Sequence, residues 1–178
     1  MPVIRTATHE DAPALAQLAE ATFRDTFAAS NSAENMDAHC RASYGAAQQA
    51  REIADASMQT WVAEHDGALV AYAQLRFGAV PACVAGRAPG EIHRLYVHRD
   101  WHGRGLAQRL MDTGLAALRA RGADVAWLGV WEHNPRAIAF YRKFHFTAVG
   151  DHIFPVGDDP QRDVVMMRAM AHSQRVDA

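Results

Sequence analysis

The spacing of apolar and polar residues predicts strands and helices that alternate along the chain. Three short apolar runs are typical of strands: 3–6, 60–64 and 68–77. Asp66-Gly67 predicts a hairpin turn between the last two runs, because glycine adopts positive φ without steric cost. Apolar residues recur at helical spacing from Ala14 to Phe23, and the alanine-rich residues 30–56 predict one or two further helices. The first half therefore predicts a strand, two or three helices and a β-hairpin.

The second half continues the alternation with more strands than helices. Strands are predicted over 91–97, 125–131, 147–154 and 163–170. Helices are predicted over 105–121, from an apolar stripe, and over 135–144, where proline suits the first turn. A loop rich in glycine and proline covers 78–90. The order predicts a mixed α/β domain over residues 1–170, followed by a tail over 171–178.

Composition indicates an ordinary folded protein, since 49% of the 178 residues are hydrophobic and the formal net charge is −2. This length suits one domain, and the lack of a basic excess argues against a general nucleic-acid partner. No apolar stretch approaches the ~20 residues that span a bilayer, and the N-terminus lacks the pattern of a signal peptide. Cys40 and Cys83 are too few for a disulfide scaffold. We therefore expect a cytoplasmic protein that acts on neither nucleic acid nor membrane.

Ten histidines raise the question of a metal site. Six of them fall between residues 93 and 152, yet none forms a His-x-x-x-His pair on a helix or a Cys/His quartet. We therefore expect no metal.

The most specific feature is a strand that runs through a glycine-containing loop into the helix over 105–121. Free N–H groups and a partial positive charge at a helix N-terminus suit a phosphate. Gly103 and Gly105 lack Cβ, so the backbone can approach a diphosphate closely, and Arg104 adds charge. Gln108 stands where the dinucleotide fingerprint needs a third small residue, and the lysine of a Walker loop is absent. The loop therefore predicts a different diphosphate ligand.

A second pattern lies on the helix that begins at Pro135. Asn134, Ala137 and Tyr141 share one face of this helix, and the small residue between two polar ones leaves room for an elongated ligand. An N-cap asparagine and a tyrosine at the edge of the core explain the same residues without a ligand. This pattern alone leaves both interpretations open.

Together, the two elements resemble the GCN5-related N-acetyltransferase (GNAT) superfamily over nearly the whole chain. Two motifs carry the resemblance: His102-Gly-Arg-Gly105-Leu-Ala107 in the acetyl-CoA loop, and Asn134, Ala137, Phe140-Tyr141 and Phe146 in the later signature. Segments 91–97, 127–134 and 154–163 look like those of PaiA-type spermidine/spermine N-acetyltransferases. The resemblance implies an α/β (α+β) fold, with a mixed, mostly antiparallel sheet of six to seven strands flanked by about four helices.

Two residues depart from the family's pattern. His102 replaces the usual glutamine or arginine, so a diphosphate contact there would come from the imidazole or the backbone. His145 stands where the family has glycine, and histidine reaches the left-handed region at some cost. Both departures affect the expected cofactor affinity and leave the catalytic groups in place.

The resemblance implies direct acetyl transfer from acetyl-CoA to a primary amine, without a covalent enzyme intermediate. The pantetheine is expected between the strands over 91–97 and 125–131. The residues implied in cofactor binding are Leu95, Tyr96, Val97, His102, Gly103, Arg104, Gly105, Leu106, Ala107, Asn134, Ala137, Tyr141 and Lys143.

Lys143 joins this set on an additional observation, because it is the only lysine among 18 basic residues. A retained ammonium indicates a place where a planar guanidinium fits poorly, such as a CoA phosphate. Chance retention on a solvated helix end explains it equally simply.

Chemistry requires two proton-handling groups. The attacking amine must lose a proton, and Glu91 matches the position of a catalytic carboxylate in many relatives. His93 and Glu132 are alternative bases. Glu91 can also be interpreted as a solvated carboxylate at the end of a strand, with no part in catalysis. Tyr141 matches the family's general acid, which protonates the departing thiolate.

The resemblance favours a polyamine as the small-molecule acceptor, which would need carboxylates around its channel. The candidates are Asp25, Glu34, Asp37, Glu132, Asp158 and Asp159. Acetylation of a protein N-terminus, a lysine or an amine drug is the alternative within the same class. A catalytically silent CoA-binding sensor is the alternative outside it. The sequence allows a monomer or a homodimer and leaves the role of the 78–90 loop open.

Overall fold

Residues 1–170 are described in the computed structural model, and the tail predicted over 171–178 lies outside the described residues. They form seven strands and five α-helices. The strands are β1 Val3–Thr6, β2 Met58–His65, β3 Ala68–Arg76, β4 Pro89–Val97, β5 Val125–Trp131, β6 Thr147–Val156 and β7 Asp159–Ala169. The helices are α1 Ala12–Phe27, α2 Ala33–Ser43, α3 Ala46–Ala54, α4 Leu106–Ala120 and α5 Pro135–Lys143.

The seven strands form one sheet in the order β1-β2-β3-β4-β5-β7-β6. Neighbouring strands are antiparallel, except for β4 and β5, which run parallel. The expected mixed, mostly antiparallel sheet is therefore confirmed. The described helices number five instead of about four, because residues 30–56 hold both α2 and α3.

Helices cover the two faces of the sheet. Helices α4 and α5 pack on one face, and α1, α2 and α3 pack on the other. Because successive side chains of a strand point to opposite faces, β4 contributes to both apolar layers. Leu95 and Val97 pack with the α4 layer, whereas Tyr96 packs with the α1 layer.

The sheet opens between β4 and β5. The two strands pair over only three residues, Pro89–Glu91 with Val125–Trp127. Position 90 in this junction favours glycine, because a Cβ there would clash with Cδ2 of Leu118 on α4. Beyond Glu91 the strands diverge, and the second half of β4 is paired on its β3 side alone.

A β-bulge adds one residue to β4 at the point where the opening begins. Gln74 pairs with Arg94 and Leu75 pairs with Ile92, so His93 is the extra residue. Bulges of this kind change the direction of side chains and are frequent beside active sites.

The C-terminal hairpin is longer than the apolar pattern predicts. Pro155 and Pro160 oppose each other close to its turn. In a sequence, proline usually marks the end of a strand, and the predicted strands therefore stop short of these two residues. Proline is tolerated here because β6 is an edge strand and Pro160 stands at the start of β7. Within residues 1–170, no helix has both the length and the apolarity that crossing a membrane requires.

Candidate active site

A cavity of about 710 Å³ passes through the opening between β4 and β5. Its walls come from both faces of the sheet, since α1 and α2 contribute on one side and α4 and α5 on the other. Nine residues expected to act in catalysis or cofactor binding line it: Glu91, Leu95, Tyr96, Val97, His102, Ala107, Asn134, Ala137 and Tyr141. Glu91 and Tyr141, which are 50 positions apart in the sequence, are thus brought to one place by the fold.

The glycine loop at the rim of this cavity has the geometry that its sequence predicts. Gly103 and Gly105 have φ of 75° and 76°, in the region that favours glycine. Gly105 is the N-cap of α4, and the first main-chain bond of the helix runs from Arg109 N–H to Gly105 O at 3.1 Å. The three N–H groups before Arg109 therefore have no partner within the helix, which suits a diphosphate.

Two other loop residues have partners of their own. The Leu106 side chain is buried in the core beneath α4, so its backbone is the part that can reach a ligand. The Arg104 guanidinium lies 5.0 Å from the centre of the Trp101 ring, an arrangement that favours the cation.

The backbone of β4 is available for pairing across the opening. His98 N–H donates to Val70 O at 2.9 Å on the β3 side. Because backbone groups alternate along a strand, those of Leu95 and Val97 turn toward β5, with which this part of β4 is not paired. Val97 O bonds to His102, so the Val97 N–H and both groups of Leu95 remain for a ligand.

His102, which replaces the family's glutamine or arginine, bonds to the protein itself. Its Nε2 lies 2.8 Å from Val97 O and donates to this carbonyl. The imidazole thereby fixes the end of β4 against the loop, and the backbone of the loop is left to meet the diphosphate. The second departure, His145, has the positive φ of 64° that glycine would adopt at no cost.

Helix α5 places Asn134 and Tyr141 on the cavity wall. Asn134 is indeed the N-cap, since its Oδ1 accepts from Ala137 N–H at 3.0 Å, and its side-chain amide nitrogen has no part in that bond. Burial, together with the charge of Asp163, raises the pKa of Tyr141 to about 12. Tyr141 is therefore a protonated hydrogen-bond donor throughout the neutral range.

Glu91 lies at the centre of a charged group beside the bulge. Its carboxylate accepts from Arg76 Nε at 2.7 Å, and the Nδ1 of His93 lies 3.3 Å away. Burial opposes ionisation of Glu91, but the bonds from His93 and Arg76 hold its pKa below the usual value. Burial also lowers the pKa of His93, although Glu91 acts in the opposite direction. At neutral pH, the pair is a carboxylate beside a neutral imidazole.

A second pair faces the cavity from the other side of the opening. His152 Nε2 lies 3.7 Å from Asp163 Oδ2, and this contact raises the pKa of His152. Gly129 on β5 makes room for both, because a Cβ there would lie 3.0 Å from His152 Nε2 and 3.2 Å from Asp163 Oδ2.

Six ring side chains form what we call the aromatic wall, on the α1 and α2 side of the cavity. They are Phe23, Phe27, His39, Tyr44, Trp131 and Phe154. The rings of Phe23 and His39 stack at 4.4 Å, and those of Phe27 and Trp131 lie 5.2 Å apart. The wall therefore joins α1, α2, β5 and β6 in one continuous surface.

Sequence reasoning missed Arg76, Asp163, His152 and the aromatic wall as parts of the site. Arg76 gave no local signal, because its relation to Glu91 depends on the register of β3 and β4. The spacing of Phe23 and Phe27 is ordinary for a core-facing helix.

Some expected residues lie elsewhere. Glu132 is not part of the cavity wall, and its Oε2 accepts from Arg162 Nη1 at 2.9 Å. Of the six carboxylates considered for a polyamine, Asp25 alone lines the cavity. Among residues 1–170, no group of three or more histidine, cysteine, aspartate or glutamate side chains is arranged to hold a metal ion.

Lys143 is exposed at the end of α5 and lies outside the lining of the cavity. Its role toward a CoA phosphate remains a prediction. If that role is right, Lys143→Ala weakens acetyl-CoA binding about 5-fold and leaves desphospho-CoA binding unchanged, as expected for one exposed ion pair. Titration calorimetry with both ligands measures this, and Arg142→Ala is the neighbouring control. Equal weakening of both ligands, or of neither, contradicts a phosphate contact.

The split sheet, the glycine loop and the helix N-terminus together define an acyltransferase of GNAT architecture. A family model described as Acetyltransferase (GNAT) family matches residues 14–146, and the chain belongs to this family. It is accordingly an acetyl-CoA-dependent N-acetyltransferase.

The relatives agree with this assignment. An uncharacterized N-acetyltransferase of Mycobacterium tuberculosis is 32% identical over 160 residues, covering 90% of this chain and 98% of the relative. An uncharacterized N-acetyltransferase encoded in the pepI 3' region of Lactobacillus delbrueckii subsp. lactis is 29% identical over 163 residues, 92% of this chain and 94% of the relative. The fold matches the crystal structure of PaiA N-acetyltransferase from Thermoplasma acidophilum in complex with coenzyme A, with a TM-score of 0.75 and 20% identity over 95% of this chain and 99% of the other.

Proposed function

We propose that the protein transfers the acetyl group of acetyl-CoA to the primary amine of a small molecule by direct attack. The observation that carries this proposal is the opening between β4 and β5. It has free strand backbone for the donor, the Glu91–His93 pair on one side and Tyr141 on the other. Acetyl-CoA supplies the activated acetyl group, and the side chains around the opening handle the protons.

In this proposal, His93 takes the proton from the attacking amine and Glu91 positions it. An amine attacks only when it is neutral, whereas alkylammonium groups have a pKa near 10 by analogy with lysine. Glu91 is a weak base because Arg76 and His93 stabilise its charge. His93 is neutral, lines the cavity and is bonded at Nδ1 to the carboxylate that stabilises its charged form. Glu91 then fixes the tautomer that leaves Nε2 free to accept the proton.

Tyr141 is the proposed donor to the leaving sulfur. A thiol has a pKa of ~8.5, so a phenol whose pKa is about 12 holds its proton and stabilises the thiolate by hydrogen bonding. Tyr141 is therefore better suited to stabilise the charge that develops on sulfur by a hydrogen bond than to transfer its proton fully early in the reaction.

Spermidine and spermine are the acceptors that the resemblance to PaiA-type enzymes suggests. Asp25 supports them, as a carboxylate on the cavity wall. Its Oδ1 lies 3.8 Å from Arg99 Nη1, so its charge is already partly matched. The contacts of Asp25 therefore support a small primary amine and do not distinguish a polyamine from other small amines.

Thiol release from acetyl-CoA tests the function. The intact protein is assayed with spermidine, spermine, simple alkylamines, arylalkylamines and an alanine-starting peptide, each over a range of concentrations. Saturable release with a small amine, together with mass-spectrometric detection of the N-acetyl product, supports the proposal. Release with the peptide alone transfers the activity to a protein acceptor. Tight acetyl-CoA binding without release for any acceptor favours a CoA sensor and overturns the proposal.

A further inference from the structure

The glycine loop and α4 lie on one face of the sheet, which leaves the α1 and α2 side of the cavity for the acceptor. This acceptor side combines ring surfaces with very little uncompensated charge. In the aromatic wall, His39 lies 5.5 Å from Phe154 and stacks on Phe23, so the surface continues from α1 to β6. His39, Trp131 and Phe154 are half-buried and form the part of the wall that a bound molecule can touch. Surfaces of this kind gain free energy by covering apolar atoms.

The carboxylates of the cavity already have cationic neighbours. Three line it, and two of these face arginines: Glu91 with Arg76 at 2.7 Å and Asp25 with Arg99 at 3.8 Å. The third, Asp163, faces His152, a group that can lose its charge. Asp163 is therefore the one of these three carboxylates that can meet an ammonium group, when His152 is neutral. Further ammonium groups would be desolvated without an anion, which is unfavourable.

One ring of the aromatic wall already has a cationic neighbour. The Arg94 guanidinium lies 5.1 Å from the centre of the Tyr44 ring, and its charge is matched by Glu52 at 2.6 Å. Burial and the charge of Arg94 both lower the pKa of His39. A second ammonium group on this wall would lose solvent in the same way and would meet no carboxylate among the six rings.

We propose that the acceptor is an amine with one ammonium group on an alkyl or aromatic body, and that the aromatic wall binds this body. The inference rests on the proposed transfer to a small amine and adds the class of acceptor. It separates this chain from an enzyme for polyamines, whose acceptors carry a charge at each end.

A matched pair of acceptors tests the proposal in the unmodified protein. Hexylamine and 1,6-diaminohexane have the same chain length and differ by one terminal ammonium group. We expect kcat/KM for hexylamine to exceed that for 1,6-diaminohexane by about 10-fold or more, since burial of one unmatched charge costs at least this much. Phenethylamine is expected to rank with hexylamine, and spermidine with the diamine.

Two variants on neighbouring residues of β6 locate the preference. Phe154→Glu places a carboxylate in the aromatic wall, and we expect it to reverse the ranking of the two amines. Ile153→Glu places the same charge on an adjacent residue that is 63% exposed, and we expect it to keep the wild-type ranking. The shift in melting temperature on addition of acetyl-CoA shows whether each variant is folded. The ratio in the unmodified protein remains decisive if Phe154→Glu does not fold.

The outcomes separate the acceptor class from the function. A preference for spermidine or 1,6-diaminohexane in the unmodified protein overturns the acceptor class and keeps the acetyltransferase. The same result follows if folded Phe154→Glu retains the wild-type ratio. Absence of thiol release with every amine overturns the proposed function as well.

Discussion

Replacing Glu91 with glutamine is expected to lower kcat about 100-fold, the lower end of what positioned acid–base groups contribute. The variant keeps the size of the side chain but removes the negative charge that stabilises protonated His93. His93 works as a base only when neutral, so the rate falls as the pH drops below its pKa. Because Glu91 raises that pKa, its loss moves the acid limb of the pH–kcat profile to lower pH.

Two companion variants make the assignment specific. His93→Gln is expected to lower kcat at least as much and to remove the acid limb that His93 causes. Glu132→Gln is the matched control, because Glu132 pairs with Arg162 outside the cavity wall. If the acid limb persists in His93→Gln and vanishes in Glu91→Gln, then Glu91 itself takes the proton. Near-wild-type rates in both variants contradict the pair altogether.

Tyr141→Phe is expected to lower kcat about 100-fold while the Kd for acetyl-CoA stays within about 2-fold of wild type. The hydroxyl acts on charge that develops on sulfur during transfer, so it contributes to the reaction step and little to donor binding. Because its pKa is about 12, Tyr141 stays protonated across the working range and causes no alkaline limb. Stopped-flow rates and equilibrium binding measured on the same preparation separate the two effects.

Tyr72→Phe is the corresponding control. Tyr72 is fully buried on β3, and its hydroxyl has no hydrogen-bond partner among residues 1–170. Removing this hydroxyl is expected to leave kcat unchanged and to keep or raise the melting temperature, since an unsatisfied buried polar group is lost. A Tyr141→Phe variant as active as Tyr72→Phe would remove Tyr141 from the mechanism.

Local signals in the sequence predicted most of the elements and the conformation of the glycine loop. Periodicity placed the strands and helices, and the Asp66-Gly67 turn lies between β2 and β3 as expected. Gly103 and Gly105 were expected to let the backbone approach a ligand, and both have positive φ in the loop. These features depend on residues close together in the chain, which is why short patterns reveal them.

Short sequence patterns could not predict the pairs of charged residues that the sheet brings together around the cavity. Arg76 and Glu91 are 15 residues apart and meet through the register of β3 and β4, including the bulge at His93. His152 and Asp163 depend on the register of the C-terminal hairpin. Each pairing is fixed by the sheet as a whole, and a shift of one residue would turn these side chains to the opposite face.

The opening between β4 and β5 also bears on the order of events in a catalytic cycle. The cavity has a wall from α1 and α2 on one face of the sheet and a wall from α4 and α5 on the other. A donor held on the α4 side and an acceptor held on the α1 side would meet at the opening between the strands. Donor and acceptor can therefore occupy the protein together in a ternary complex, and initial-rate plots in the two concentrations should intersect instead of running parallel.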